Sequence, residues 1–197
     1  MHSKMDIGEN SKVTFKDIHY HGASRNIQVD SNYDFLLKKN SEIKNYFELT
    51  EERAGILNLH TTFSLDQNAK AYTETKLKEK HDDKAVIEEL IYLYGDFSSG
   101  IAKTYIVGEN ESNAEVINEV YTFGNHTTGH IECDELIAGE KVTLSAIPKL
   151  VVTNNTSEIT HEAAVGRLNT EQSETLMTKG LTEEEATEMI INGIFDD

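Results

Sequence analysis

The residues best suited to chemistry lie in the second half of the chain, around its single cysteine. Cys133 occurs in the sequence Gly129-His-Ile-Glu-Cys-Asp134. A cysteine thiolate is a ligand for soft metals and for iron–sulfur centres. The flanking Glu132 and Asp134 disfavour a thiolate without a cation, but they also offer oxygen ligands that would attract one. Taken alone, a free cysteine is more often a small buried hydrophobic residue, so this motif leaves both interpretations open.

His161 and Glu162 form a second candidate pair near the end of the strand-rich region. The pattern Ile131-Glu-Cys133 recurs further along the chain as Ile159-Thr-His161, which puts the cysteine and the histidine in the same phase of strand alternation. If successive coils stack about 4.7–4.9 Å apart, the two side chains are near neighbours. Glu162 then points to the opposite face unless the strand bends. Cysteine, histidine and carboxylate together suit zinc or iron, although three ligands leave a position open or require a partner chain.

The other histidines give weaker signals. His130 is the better placed residue of the turn before Cys133 to hydrogen-bond a metal ligand, whereas His126 is expected to be solvated. His19 and His21 form an H-x-H with a metal-like spacing that also arises by chance. The sequence has no phosphate-binding loop, nucleophile elbow, H-E-x-x-H or C-x-x-C motif, so it carries no signature of those classes.

The composition excludes several kinds of partner. The chain has 35 acidic and 18 basic residues and a formal net charge of −17, which argues against nucleic-acid backbones and anionic membranes. A single cysteine excludes an internal disulfide framework and a metal site built only from cysteines of one chain. No apolar run approaches the roughly 18–20 residues of a membrane span, and the polar N-terminus lacks the apolar segment of a signal peptide. We therefore expect a cytoplasmic protein that binds neither nucleic acid nor membrane.

The candidate ligands must be positioned by the elements that contain them. These are short segments rich in Val, Ile, Thr and Tyr, and turns with Asn and Gly separate them. Several of them alternate apolar and polar side chains, as half-buried strands do. Asp34–Leu37 and Tyr46–Leu49, in the less regular opening part of the chain, suit either strand or helix. The predicted strands are Val13–Phe15, Gly55–Phe63, Lys70–Lys78, Ala85–Leu93, Ala102–Val107, Ala114–Phe123, His130–Ile137, Val142–Val152 and Glu158–Val165.

These strands recur with a loose period of about 28–31 residues, within the range of repeat architectures. Tyr105-Ile-Val-Gly108, for example, recurs one period later as Leu136-Ile-Ala-Gly139. The stacked coils of a β-solenoid would repeat in this way. An antiparallel sandwich also has evenly spaced strands, and the period by itself does not separate the two folds.

The chain becomes helical after Arg167. A helix of about Thr170–Lys179 should end at Gly180, a natural C-cap, and Thr182-Glu-Glu-Glu185 is a capping box that begins the next helix. We therefore divide the chain into a β core, residues 1–167, and a helical segment, residues 168–197. The second helix has an apolar stripe that we expect to be partly exposed or covered only by a second chain. This stripe consists of Ala186, Met189, Ile190 and Ile194.

The region from Gly129 to Phe195 resembles the core of the SufB/SufD family of iron–sulfur cluster assembly proteins. Three motifs carry the resemblance: they are similar to the stretch around the SufB cysteine, to the histidine–glutamate segment and to the helical tail. These motifs are His130-Ile-Glu-Cys-Asp134, then Ser145–Leu150 with Ile159–Leu168, then Leu176–Ala186 with Met189–Phe195. The likeness is close from Gly129 onward and is limited to the strand pattern before that residue.

The resemblance implies a mainly β protein, a right-handed parallel β-helix with a short C-terminal helical segment. It implies a scaffold rather than an enzyme, which holds a labile iron–sulfur cluster where two SufB/SufD-type chains meet as a homodimer or heterodimer. The helical tail would dock on SufC, the ABC-type ATPase of the system. Cys133, His161 and Glu162 fall on the SufB cysteine and the His-Glu pair, so they are the predicted iron and cluster ligands. The weaker metal-ligand candidates are Glu132, Asp134 and His130.

The chain also departs from the family pattern. It lacks the cysteine-bearing N-terminal region of larger SufB proteins, and Thr160 stands where many SufB sequences have an acid. We therefore expect either a compact, SufB-like form or a truncated piece of a longer one. Two other functions remain open: a β-solenoid carbohydrate-active enzyme, which would need paired carboxylates beside basic or aromatic groups, and a metal-free SufD-like structural subunit. The absence of tryptophan counts against the enzyme.

Overall fold

The computed structural model of the chain describes residues 1–21, 27–51 and 53–195, so Asp196 and Asp197 of the predicted helical segment lie outside the described residues. The strands are β1 His2–Ile7, β2 Lys12–Ile18, β3 Gln28–Leu37, β4 Glu42–Leu49, β5 Ile56–Leu65, β6 Lys70–Glu79, β7 Lys84–Leu93, β8 Ser99–Glu109, β9 Asn113–Thr122, β10 Thr128–Ala138, β11 Thr143–Val152 and β12 Glu158–Arg167. The helices are α1 Thr170–Thr178 and α2 Glu183–Phe195.

The strands form two six-stranded parallel sheets that face each other. The odd sheet has the order β1-β3-β5-β7-β9-β11, and the even sheet has the order β12-β10-β8-β6-β4-β2. Each coil consists of one odd strand and the following even strand, and six coils build a β-solenoid. The predicted solenoid is confirmed and the antiparallel sandwich is wrong, because the pairings between strands of the described residues are parallel.

The solenoid begins earlier than the sequence pattern indicates. The segments around Asp34–Leu37 and Tyr46–Leu49 are strands, as parts of β3 and β4, and β1 already starts at His2. The pattern missed β1 because its inward positions include Ser3 and only two large apolar residues, Met5 and Ile7. Parallel pairing of β1 with β3 nevertheless satisfies its backbone donors and acceptors on that side.

The coil length varies, and this corrects the predicted register. Residues in neighbouring coils pair at separations from 28, as for Gln28 and Ile56, to 30, as for His2 and Asn32. Ile131 pairs with His161 and not with Ile159, and Tyr105 pairs with Asp134 and not with Leu136. Both expected alignments are therefore wrong by two residues. A shift of two keeps every side chain on its face, so alternation in the sequence does not reveal it.

The core lies between the sheets, where inward side chains stack in columns from coil to coil. Leu37, Leu65 and Leu93 are in register and fully buried. The rings of Phe35 and Phe63 stack with their centroids 5.0 Å apart. Burying a side chain of this size stabilises the fold by about 1.5–3 kcal/mol, and the columns repeat this contribution in each coil.

The helical segment folds back on the even sheet. The capping box forms as predicted: the Thr182 N–H donates to Glu185 Oε2 at 2.8 Å, and the Glu185 N–H donates to Thr182 Oγ1 at 3.2 Å. Gly180 has a φ of +100° just after α1, as a glycine at this cap position requires. Neither helix of the described residues is long and apolar enough to cross a membrane.

The predicted apolar stripe of α2 is only partly exposed. Ala186 is fully buried, against expectation, because α2 lies on β6 and β8 and the Lys78 ammonium is 2.6 Å from Glu188 Oε2. Ile191, which is outside the predicted stripe, is buried as well. Met189 is 53 % exposed, and Ile190 and Ile194 are half-buried.

Candidate functional site

Cys133 lies on the inner face of β10, in the fifth coil. Its neighbours in register are Thr104 on β8 and Ala163 on β12, and its side chain is 1 % exposed. Inward positions on the same strand are Ile131 and Glu135, which are also buried. The cysteine therefore belongs to the core of the solenoid in this state of the protein.

A cluster of buried polar side chains lies next to the cysteine, and the sequence patterns did not identify this cluster. Glu89 on β7 accepts hydrogen bonds from the hydroxyls of Thr73, Thr75 and Thr104. The Asn118 side-chain amide lies 3.4 Å from Cys133 Sγ. In the opposite orientation of this amide its nitrogen donates to Glu89 Oε2, at 3.2 Å, and its oxygen accepts from Thr104 Oγ1, at 3.0 Å. The single Thr104 hydroxyl proton then points to Asn118 instead of Glu89. The available signal was that Glu89 and Asn118 occupy inward positions among apolar residues.

The surroundings keep the cysteine protonated. Burial, together with the nearby Glu89 carboxylate, raises the pKa of the Cys133 thiol to about 12. Burial also raises the pKa of Glu89, and it raises the pKa of Glu135 to about 7. A thiolate at this position thus needs a cation to compensate for it.

His161 shares the face of Cys133 but is not opposite it. It pairs with Ile131, two residues before the cysteine, and it is exposed on β12, the outermost strand of the even sheet. A strand spacing of about 4.8 Å and a rise of about 3.3 Å per residue put the Cα atoms of Cys133 and His161 about 8 Å apart. This separation lets both side chains reach toward one point if the outer strand adjusts.

Glu162 points to the outer face of the even sheet. It is exposed and pairs with Glu132 of β10. Cys133 and Glu162 of one chain therefore lie on opposite faces of the sheet, as alternation requires. No three His, Cys, Asp or Glu side chains of the described ranges converge on a point that a metal ion could occupy.

The weaker candidates also lie on the outer face of the even sheet. Glu132 accepts a hydrogen bond from Tyr105 at 3.0 Å and lies 2.7 Å from the Lys103 ammonium. Partial burial acts to raise the pKa of Glu132, but these two hydrogen bonds hold it below its usual value. Burial raises the pKa of Asp134, with a further contribution from Glu132. His130 Nδ1 contacts Thr160 Oγ1 at 2.8 Å, so it is not in contact with the cysteine.

The sixth coil, β11 and β12, presents apolar side chains to solvent. Val165, Val152 and Ile147 are 56 %, 48 % and 45 % exposed. β11 and β12 are the outer strands of their sheets, and no other strand of the described residues pairs with their free edges. Unpaired parallel edges with apolar side chains are suited to pairing with another chain.

A groove of about 590 Å³ separates α1 from α2. Leu176, Met189 and Ile190 provide its apolar lining, and polar side chains of α1 surround them. Because the opposite side of α2 is held on the even sheet, this groove is an accessible apolar surface of the helical segment.

Part of the chain matches a known protein family. Residues 117–194, which include β10, β12 and both helices, match the family model described as the SufBD core domain of the SUF system for FeS cluster assembly. The chain is similar to an iron–sulfur cluster assembly SufBD family protein of Pyrococcus horikoshii, with 38 % identity over 98 % of this chain and 58 % of that protein. A SufBD family protein of Methanocaldococcus jannaschii is 31 % identical over 100 % of this chain and 62 % of its own length.

The similarity extends to a SufB protein. The iron–sulfur cluster assembly protein SufB of Bacillus subtilis is 34 % identical over 60 % of this chain and 25 % of its own length. The chain thus spans about three fifths of the two archaeal relatives and a quarter of this bacterial one.

Proposed function

The chain belongs to the SufBD family of iron–sulfur cluster assembly proteins, and from this membership we propose that it is a scaffold subunit that holds a nascent cluster between two chains. Cys133, His161 and Glu162 are the proposed ligands of iron. The proposed role is binding and release of a cluster in the cytoplasm, with no catalysis by the chain itself.

The observation that carries this proposal is the position of the cysteine beside the exposed sixth coil. Only β12 separates Cys133 from the edge of the even sheet, and His161 is exposed on that strand. A second chain that pairs with the sixth coil would cover Val165, Val152 and Ile147 and would bring its own ligands to the same edge. Two-fold pairing makes such an interface self-complementary.

Two chains also supply the number of ligands that a cluster needs. A cluster commonly takes four protein ligands, and one chain offers a single thiolate. Two chains offer two thiolates, two imidazoles and two carboxylates. Because Glu162 faces away from Cys133 of its own chain, we propose that it acts toward the cysteine side of the partner. Mixed ligation by N, O and S should hold the cluster less firmly than four thiolates, which suits a scaffold that releases its product.

Iron binding has to overcome the burial of the cysteine. Iron would replace the thiol proton and offset the negative charges of Glu89 and Asp134 near it. Since Cys133 is 1 % exposed, we propose that β12 moves aside when iron binds. An edge strand pairs on one side only, so it is the strand that opens at the lowest cost.

The groove between α1 and α2 is the surface that we propose for a SufC-type ABC ATPase. Met189 is exposed there, and Ile190 lines the same groove. An amphipathic helix with an apolar surface of this kind is suited to docking on another protein. ATP hydrolysis would then belong to the partner subunit.

A second candidate is a metal-free, SufD-like structural subunit of the same assembly. The burial of Cys133 and the raised pKa of its thiol favour this function, because a structural cysteine behaves as a small hydrophobic residue. The two candidates differ in whether the chain binds iron through Cys133.

Anaerobic reconstitution with iron and sulfide separates the two candidates. The purified chain is expected to acquire visible absorption of a cluster together with bound iron and sulfide. Cys133→Ser should abolish this absorption and leave the circular dichroism and the sedimentation coefficient unchanged. Glu88→Gln, an exposed glutamate on the odd sheet, is the matched control and should acquire the cluster normally.

An unchanged iron and sulfide content in Cys133→Ser would assign the cysteine to the core and contradict the scaffold proposal. Failure of the unmodified chain to acquire iron, either alone or mixed with a SufC-type ATPase, would favour the structural subunit.

A further inference from the structure

Two histidines at the opposite end of the even sheet have ring nitrogens that lie close to each other. His19 and His21 follow β2 directly, two residues apart, so their side chains share a face with Asp17. The rings are perpendicular, with an interplanar angle of 89°, and His21 Nε2 lies 3.4 Å from His19 Nδ1. The ring of Phe47 packs against His19 with a centroid separation of 5.1 Å.

The other nitrogen of each ring lies beside an oxygen atom that favours one tautomer. His21 Nδ1 lies 3.0 Å from the carbonyl oxygen of Arg53, which can only accept, so the proton of this ring is on Nδ1. His19 Nε2 is closed off from solvent and makes no hydrogen bond to the described residues. The Asp17 carboxylate lies 3.0 Å from it, and its negative charge favours a proton on Nε2. The second oxygen of this carboxylate accepts a hydrogen bond from Tyr33.

The backbone that holds His21 is itself anchored. The Arg53 guanidinium donates to Asp83 Oδ1 at 2.9 Å, and the N–H of the next residue, Ala54, donates to Asp83 Oδ2 at 2.9 Å. The carbonyl of Arg53 is therefore held in place, and with it the orientation of the His21 ring.

These tautomers leave two lone pairs facing each other, on His19 Nδ1 and His21 Nε2. Two acceptors at 3.4 Å repel each other unless a cation lies between them. A tetrahedral metal ion with Zn–N distances of about 2.0–2.1 Å has ligand nitrogens about 3.4 Å apart. Hydrogen bonds or carboxylates on the outer nitrogens of histidine ligands are the usual surroundings of such ions.

We propose that His19 Nδ1 and His21 Nε2 bind a divalent late first-row transition metal ion, with Asp17 and the Arg53 carbonyl as positioning groups. Imidazole nitrogen suits Zn²⁺, Ni²⁺ and Cu²⁺. No third His, Cys, Asp or Glu in the parts of the chain that the structure describes converges with these two nitrogens.

This site is separate from the proposed cluster site. β2 and β10 are four strand spacings apart in the even sheet, which is about 19 Å. Cys133 therefore does not take part, and the two proposals can fail independently.

Equilibrium dialysis of the full chain, freed of metal by a chelator, against Zn²⁺ tests the proposal. The unmodified chain and Cys133→Ser should each bind one ion that His19→Gln and His21→Gln both lose. Asp17→Asn should weaken binding by roughly 10- to 100-fold, because it removes the carboxylate that orients His19. His60→Gln is the matched control: His60 also contacts a carboxylate, that of Glu88 at 2.9 Å, and it should bind Zn²⁺ like the unmodified chain.

Long-range ¹H–¹⁵N NMR of the histidine rings provides a second measurement that needs no variant. Without metal, His19 should carry its proton on Nε2 and His21 on Nδ1, and Zn²⁺ should shift His19 Nδ1 and His21 Nε2. Equal Zn²⁺ binding by both His variants and the unmodified chain would overturn the proposal. So would a spectrum in which Zn²⁺ leaves these two nitrogens unmoved, since a shared proton would then be the only cation between the rings.

Discussion

Buried carboxyl groups are the most unusual individual residues of this solenoid. Glu79, at the end of β6, is fully buried, and neither of its carboxylate oxygens has a hydrogen-bond partner in the described structure. Burial, with a smaller contribution from Asp83, raises the pKa of Glu79 to about 8. Glu89, by contrast, is buried with three hydroxyl donors. Glu79 therefore folds in the protonated form at neutral pH.

Glu79 should make the stability of the protein fall as the pH rises. Its pKa is 4.5 in the unfolded chain and about 8 in the folded one, so the folded state binds more protons between these values. The stabilising contribution is full below pH 4.5 and is lost as the pH approaches 8, at up to about 1.4 kcal/mol per pH unit. Glu79→Gln, which mimics the protonated acid, should flatten this dependence in urea unfolding measured from pH 5 to pH 8.5.

The control for this prediction is Glu74→Gln, on the outer face of the same strand. It should leave the slope of stability against pH as it is in the unmodified chain. Equal slopes for Glu79→Gln and the unmodified chain would show that Glu79 is not the group that titrates.

At the level of elements, the turns that join odd to even strands each contain a residue with a left-handed backbone conformation at the same place. Asn10, Asn40 and Asn68 have φ values of 58°, 59° and 56°, and their side-chain amides form a ladder with N···O distances of 3.0 and 2.9 Å. Asparagine tolerates this conformation better than other residues with a Cβ. Phe97 occupies the same place in the next coil, with a φ of 61° and a side chain that is 55 % exposed.

Phe97→Asn should therefore stabilise the solenoid. The substitution relieves a left-handed conformation that is unfavourable for a bulky residue, and it adds an amide next to Asn68. It also removes the ring contact with His126, whose centroid is 5.1 Å away, and this loss offsets part of the gain. We expect the free energy of unfolding, measured by heat or urea, to rise by about 1 kcal/mol. Phe123→Asn, which removes an exposed ring that stacks on Tyr94, should destabilise the fold. A lower stability of Phe97→Asn would show that the aromatic contact outweighs the backbone conformation.

On the scale of the whole molecule, the net charge and the exposed sixth coil have opposite effects on self-association. The apolar side chains of β11 and β12 favour pairing with another chain, whereas a net charge of −17 on each chain opposes it. Salt screens this repulsion, because the Debye length falls from about 30 Å at 0.01 M to about 10 Å at 0.1 M ionic strength.

Self-association should therefore strengthen as salt is added over this range, as measured by sedimentation velocity. Val165→Glu should abolish it at every salt concentration, because the change places a charge at the proposed interface. Val86→Glu, at an exposed valine of the odd sheet outside the sixth coil, should behave like the unmodified chain. If Val165→Glu forms dimers as stable as those of the unmodified chain, the interface lies elsewhere.

The sequence by itself determined the class of fold and the local structure. The repeat period and the alternation within strands predicted evenly spaced strands, and the capping box at Thr182 predicted the start of the second helix. The resemblance of the motifs to the SufB/SufD family selected the solenoid over the sandwich. These features depend on neighbouring residues and on turn chemistry, which the sequence displays directly. The motifs around Cys133, His161 and Glu162 indicated the family for the same reason, since each motif is a short continuous segment.

Only the tertiary structure decided the register and what each residue contacts. Coils that differ in length by two residues give the same alternation, and the structure alone pairs Cys133 with Ala163 and His161 with Ile131. It also folds α2 onto the even sheet and buries Ala186, which a helical stripe taken alone leaves exposed. The facing nitrogens of His19 and His21 depend on Arg53, which lies beyond β4 in the chain. Such contacts result from the packing of all coils together, and no local pattern in the chain encodes them separately.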